Sequence, residues 1–157
     1  MNNEDYFAFE DCYSLTRVDI TDIAAWCNIS YGGGDTHPCF NGAKLYLNGE
    51  ELTHVTIPSD VTYIKDKAFY GCSSIRSVTI SDNTTSIGHF TFKNCGNLAS
   101  VDCKPTTPPT AGVDIFEGNA SDRKIYVPAS DDDSVINAYK TATNWSDYAD
   151  YIECKLF

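Results

Sequence analysis

Two consecutive stretches of the chain carry the same order of apolar and polar positions. Laying residues 52–74 over residues 75–97 leaves seven positions identical: Val55/Val78, Thr56/Thr79, Ile57/Ile80, Thr62/Thr85, Ile64/Ile87, Phe69/Phe92 and Cys72/Cys95. Leu52 and Ile75 agree in kind. A fixed offset of 23 residues marks a repeat architecture, in which one unit cannot bury its apolar face alone. The spacing Phe-x2-Cys-x2-Leu/Ile-x2-Val-x-Ile recurs three times. It falls on Phe9, Cys12, Leu15, Val18 and Ile20, then on Phe69, Cys72, Ile75, Val78 and Ile80. The third copy is Phe92, Cys95, Leu98 and Val101, with Cys103 in place of the last Ile. A weaker fourth copy keeps Phe116, Ile125 and Val127, and Pro128 stands where Pro58 stands after Ile57.

Within each unit the alternation Val55-Thr56-Ile57 or Val78-Thr79-Ile80 predicts a short strand with Val and Ile inward and Thr toward solvent. Pro58 and Pro128 close the strand, and the later Ile, Phe and Cys positions bring the chain back to refill the same core. Ordering such a unit costs more backbone entropy than its own buried side chains recover. Neighbours must therefore stack, and both ends must be covered. The predicted architecture is an α/β repeat solenoid, a right-handed stack of about 23-residue coils with short strands and a small helical C-terminal cap.

The cap is predicted from Asp131-Asp132-Asp133-Ser134, which supplies helix N-cap chemistry, followed by Val135, Tyr139 and Ala142 at helical spacing. Trp145, Tyr148 and Ile152 continue its apolar face. Ile20 to Ile57 spans 37 residues where one period gives 23, so an early coil carries an insertion. The run Gly32-Gly33-Gly34-Asp35 marks its loop. Asn48-Gly49, between Lys44–Leu47 and the residues from Leu52 to Ile57, predicts a hairpin turn. The chain thus reads as one domain, 1–157. It comprises a partial coil (8–20), an irregular insertion and hairpin (21–51), regular coils (52–103), a degenerate coil (104–128) and the cap (129–157).

Composition narrows the function. A net charge of -11 and a pI near 4.4 disfavour nucleic acid and anionic membrane surfaces. No apolar run reaches the roughly 20 residues that span a bilayer, so no membrane insertion is expected. The start Met1-Asn2-Asn3-Glu4-Asp5 is acidic where a signal peptide is basic and then apolar, and the chain reads as a piece of a longer protein.

The segment Ala68-Phe69-Tyr70-Gly71-Cys72-Ser73-Ser74-Ile75-Arg76-Ser77-Val78-Thr79-Ile80, with Ile64 and Ile87, resembles the repeat unit of BspA-type leucine-rich-repeat proteins. Ile125-Tyr126-Val127-Pro128, followed by Ala138-Tyr139-Lys140 and Trp145-Ser146-Asp147-Tyr148, is similar to endings of such proteins. The resemblance implies a secreted or cell-surface bacterial protein that adheres or binds partners without catalysis.

Candidate chemistry is sparse. Cys12, Cys72 and Cys95 share one slot of the repeat and are expected as a ladder of small buried hydrophobes with free thiols. Cys27, His37 and Cys39 form a possible metal corner, but there is no C-x2-C pair and no fourth ligand, so no metal is assigned. Cys27 beside Trp26 reads as core, and His54 and His89 as surface. Asp131 to Asp133 lack the alternating pattern of a calcium loop. No nucleophile motif is present, and the chain is expected to be no enzyme and to need no cofactor.

What remains is the surface that repetition makes. The outward strand positions are Arg17 and Asp19, His54 and Thr56, Ser77 and Thr79, Ser100 and Asp102, and Lys124 and Tyr126. Such a strip is a usual docking face of repeat proteins. The candidate binding residues are His54, Thr56, Ser77, Thr79, Ser100, Asp102 and Tyr126, and the expected partner is a protein such as a host surface or matrix protein. Glycan binding is the alternative, motivated by Tyr63 and Tyr70, which are expected to face outward.

Overall fold

Val and Ile at every second position favour extended backbone packed on one face, and that alternation falls on the strands His54–Thr56, Ser77–Ile80 and Lys124–Pro128. A computed structural model describes Phe9, residues 11–32 and residues 37–157. Ala8, where the first repeat begins, and Gly33, Gly34 and Asp35 of the predicted loop lie outside the described residues. The strands are β1 (Arg17–Ile20), β2 (Lys44–Leu47), β3 (Glu50–Glu51), β4 (His54–Thr56), β5 (Tyr63–Ile64), β6 (Ser77–Ile80), β7 (Ser86–Ile87), β8 (Ser100–Cys103), β9 (Thr110–Ala111), β10 (Lys124–Pro128) and β11 (Ile152–Lys155). Two α-helices, α1 (Ile23–Cys27) and α2 (Ser134–Thr141), and a 3-10 helix (Ser146–Tyr151) complete the described elements.

Two parallel sheets carry the repeat. The main sheet has the order β11-β10-β8-β6-β4 and the second the order β5-β7-β9. In the main sheet Val55 pairs with Val78, Val78 with Val101, Val101 with Ile125, and Ile125 with Ile152. In the second, Ile64 pairs with Ile87 and Ile87 with Ala111. The offset of 23 persists from Ile80 to Cys103 and becomes 24 between Ile87 and Ala111. The added residue therefore lies in the proline-containing stretch after Cys103, where no strand is interrupted.

A third side of each unit is also laddered. Lys67, Phe69 and Gly71 N–H donate to the carbonyls of His89, Thr91 and Lys93, and Phe90, Phe92 and Asn94 repeat the pattern onto Val113, Ile115 and Glu117. The slot of Gly71 (φ 71°), Asn94 (φ 61°) and Gly118 (φ 71°) is left-handed in every repeat, a conformation that Gly and Asn tolerate best. Between the sheets Phe69 stacks on Phe92 with ring centroids 5.3 Å apart, and Phe92 on Phe116 at 5.8 Å. Side chains add further ties: Thr84 Oγ1 donates to Val61 O, Thr85 Oγ1 to Thr62 O, and Asn97 Nδ2 to Ser73 O.

Neighbouring units approach closely at Gly88, where a Cβ would lie 2.3 Å from Asp66 Oδ1 and 2.5 Å from its backbone nitrogen. Gly96 has open space around the same position. Gly88→Ala is therefore expected to destabilise by about 1–3 kcal/mol and Gly96→Ala to leave stability nearly unchanged. Urea denaturation of the two variants checks this.

The first units differ from their sequence reading. β1 pairs in parallel with β2, setting Val18 against Leu45, 27 residues on, and Val55 follows ten residues after Leu45. The excess over one period is thus divided between a long return and a hairpin. Asn48 (φ 51°) and Gly49 (φ 89°) form the turn, but the antiparallel partner of β2 is Glu50–Glu51, not the segment from Leu52 to Ile57. The cysteine ladder also shortens: Cys72 and Cys95 are buried, whereas Cys12 is exposed. Its repeat is joined to β2 instead of the regular stack, and Phe9 beside it is itself exposed.

At the other end Tyr139, Trp145, Tyr148 and Ile152 are buried, as their spacing predicts. Tyr139 OH donates to Pro105 O, Trp145 Nε1 donates to Pro109 O, and Phe116 N–H donates to the Tyr148 hydroxyl. The start of α2 departs from prediction. Asp133 is left-handed and its side chain makes no cap bond; Asp132 Oδ1 accepts from Ser134 N–H, and Ser130 Oγ accepts from Val135 N–H.

Candidate functional site

Because strand side chains alternate, burying Val55, Val78, Val101 and Ile125 turns the residues on either side of each outward. Parallel pairing then aligns them. One row runs His54, Ser77, Ser100 and Lys124; the other runs Thr56, Thr79, Asp102 and Tyr126. All seven candidate residues fall in these rows and none is buried. Arg17 and Asp19 stand apart on the β1–β2–β3 sheet, paired with each other at 2.7 Å, with the guanidinium 3.7 Å from the Tyr46 ring centroid.

β11 widens the strip with residues that the repeat spacing does not reveal. Tyr126 pairs in register with Glu153 and Pro128 with Lys155. The Lys155 ammonium meets Asp102 at 2.8 Å and sits 5.1 Å from the Tyr126 ring centroid. Lys124 donates to Glu153, and this hydrogen bond raises the pKa of the ammonium above its ordinary value. At the opposite edge His54 Nδ1 and Ser77 Oγ are 2.6 Å apart. The face is thus small and hydroxyl-bearing at its centre, with an imidazole at the β4 edge and a mixed ionic cluster at the β11 edge. Such a surface offers hydrogen-bond donors and acceptors in fixed register.

The aromatic positions behind the glycan alternative are only half exposed. The Tyr63 ring lies under the Lys65 ammonium at 4.4 Å and its hydroxyl donates to Asp66. Tyr70 stacks on Phe40 with centroids 5.7 Å apart. Both faces are thus partly occupied within the chain.

His54 and His89 are exposed, as read from the sequence, and Cys27 and Trp26 are core. The corner of Cys27, His37 and Cys39, considered from the sequence and given no metal, does not assemble as drawn. His37 and Cys39 come together with Cys72 instead, with donor atoms all within 4.8 Å of one another and all three residues buried. The neighbouring Cys72 thiol, reinforced by His37, holds the Cys39 thiol below its ordinary range; burial pushes Cys72 up. Burial likewise pushes Cys27 and Cys103 to about 12.

Of the seven cysteines, only Cys12 and Cys154 are exposed. The native protein is therefore expected to show two fast thiols toward a disulfide reagent at neutral pH, and all seven after denaturation without reductant. Peptide mapping identifies the fast pair, and fewer than seven thiols in the denatured sample would reveal a disulfide.

Short parallel strands repeated at a constant interval, each followed by a turn that returns to one interior, define a leucine-rich-repeat protein. A BspA type leucine rich repeat region matches residues 42–144 in six copies, and the chain belongs to that family. No match is found among the curated proteins. No helix among the described residues is long and apolar enough to cross a membrane.

Proposed function

We propose that the chain is a non-catalytic interaction module that recognises a protein through the outward face of β4, β6, β8, β10 and β11. In this reading it is built as a right-handed solenoid with residues 129–157 as its cap. The observation that carries it is the pair of continuous outward rows, His54 to Lys124 and Thr56 to Tyr126, held in register by the main sheet. Membership of a family that is typically surface-associated, and of a repeat class that generally mediates protein binding, supports the same reading. It further supports adhesion at a bacterial cell surface, or after secretion, as the setting.

The test is binding to an array of purified matrix and cell-surface proteins. The triple variant Thr56→Arg, Thr79→Arg, Asp102→Ala is run in parallel, with circular dichroism to show that its fold persists. Loss of binding by at least tenfold is expected, because two large cations would stand on adjacent strands of the face, at its β4 edge and on β6 beside it. Unchanged binding by the folded triple variant to every partner of the parent would refute the proposal.

A further inference from the structure

The cluster of His37, Cys39 and Cys72 has no part in the outward face, and we propose that it is a binding site for a thiophilic d10 cation, Zn(II) or Cu(I). Two thiols and one imidazole are the donor set such ions select. Three structural features make the cluster a preformed site instead of a chance meeting of side chains.

The first is how the chain brings the donors together. The segment carrying His37 and Cys39 lies directly on the repeat turn at Gly71, where a Cβ would come within 3.2 Å of Phe40 Cα and 3.3 Å of Cys39 O. Gly71 is left-handed, so the slot both requires a residue without strain at positive φ and admits the crossing backbone. Cys72, the next residue, then meets the segment sulfur to sulfur. The stacked pair Phe40 and Tyr70 fastens the crossing on its other side.

The second is the orientation of His37. Its Nε2 lies 3.1 Å from the Ala68 carbonyl and its Nδ1 accepts from Cys39 N–H at 3.1 Å. The carbonyl requires a proton on Nε2, so Nδ1 carries the lone pair. A metal-bound histidine typically donates its second ring nitrogen to a backbone carbonyl in this way. Ala68 O is itself fixed by Trp26 Nε1 at 2.7 Å. Trp26 and Tyr31 enclose the imidazole, with ring centroids 5.8 Å and 4.4 Å from it, and form the apolar shell that excludes water from such centres.

The third is the contrast with the other buried thiols. Cys95 Sγ donates to Phe69 O and Cys103 Sγ is paired with the Tyr139 hydroxyl, whereas the Cys39 and Cys72 sulfurs converge on a ring nitrogen of His37, all within 4.8 Å of one another. Metal–sulfur bonds of about 2.3 Å place donors about 3.5–4 Å apart, so the present spread of up to 4.8 Å closes with shifts of an ångström or less. Binding releases the two thiol protons to solvent and forms two metal–sulfur bonds and one metal–nitrogen bond from Nδ1, which gives up Cys39 N–H; no redox change occurs. Zn(II) yields a neutral centre and needs a fourth donor, for which no further His, Cys, Asp or Glu of the described residues is grouped here. Cu(I) is satisfied by three.

The test uses the full chain with Cys12→Ser and Cys154→Ser, so that exposed thiols do not compete, reduced and handled without oxygen. Zn(II) and Cu(I) are titrated separately against a chromophoric chelator, and Co(II) is added as a spectroscopic probe. One equivalent of Zn(II) or Cu(I) and a sulfur-to-cobalt charge-transfer band are expected; the arm with the tighter uptake identifies the ion. Cys39→Ser and Cys72→Ser should each weaken uptake at least about 100-fold, since loss of an outer-shell partner alone costs 10–100-fold. Cys95→Ser should leave it unchanged. Absence of stoichiometric uptake and of the cobalt band in this Cys12→Ser/Cys154→Ser protein overturns the proposal, independently of whether any further variant folds. So does uptake that persists with both Cys39 and Cys72 replaced.

Discussion

Phe92→Ala is expected to cost about 3–5 kcal/mol, the largest loss for a single side chain in the repeat region. Phe92 is fully buried between Phe69 and Phe116, in ring contact with both. Its removal opens one cavity that three repeats share, and the backbone bonds from Phe69 to Thr91 and from Phe92 to Ile115 limit collapse around it. For a domain of this length the loss corresponds to a fall of about 6–20 °C in Tm. Phe90 supplies an internal comparison: it lies two positions away, half exposed, and its ring packs against the Lys93 ammonium at 5.3 Å. Phe90→Ala is expected to cost no more than about 1 kcal/mol. Equal losses for the two variants in urea denaturation would show that the aromatic column does not carry the stability assigned to it.

Ending the chain at Ala129 is expected to have a larger effect, abolishing cooperative unfolding altogether. The lost segment holds Tyr139, Trp145, Tyr148 and Ile152, all buried. Their departure bares Phe116, Ile125 and Val127 together. It also strips β10 of its partner β11, leaving an unpaired strand edge beside fresh apolar surface, a combination that favours aggregation. The carbonyls of Pro105 and Pro109 lose the Tyr139 hydroxyl and the Trp145 indole. Thermal melts by circular dichroism, dye binding and sedimentation measure the outcome. A cooperative melt of the shortened chain within a few degrees of the parent would contradict it. Trp145→Ala, expected to cost about 3–5 kcal/mol, gives the graded version of the same experiment.

The regular repeats were readable because their information is periodic. An inward Val or Ile recurs at fixed intervals, and the same interval aligns the outward rows, so His54 over Ser77 and Thr56 over Thr79 follow from counting residues. β11 was not readable that way. Ile152 pairs with Ile125 across 27 residues, and a helix and a 3-10 helix intervene, so no copy of the repeat motif announces the strand. Lys155 and Glu153 consequently join the candidate face only in three dimensions. The meeting of His37 and Cys39 with Cys72 was invisible for a related reason. It depends on where an irregular insertion crosses the stack, which Gly71 permits but no local spacing encodes. At the start of α2, three adjacent aspartates offered several capping registers, and the backbone at Asp133 selected the one in which Asp132 and Ser130 serve.

In the main sheet the interior and the presented surface are written on alternating letters of the same short words. Replacing Thr79 or Ser100 leaves Val78 and Val101 where they were, so the vocabulary of the exposed rows is free to drift while the grammar of the interior stays fixed. A chain built this way can change the chemistry of its exposed rows by point changes at a handful of sites while its interior stays folded.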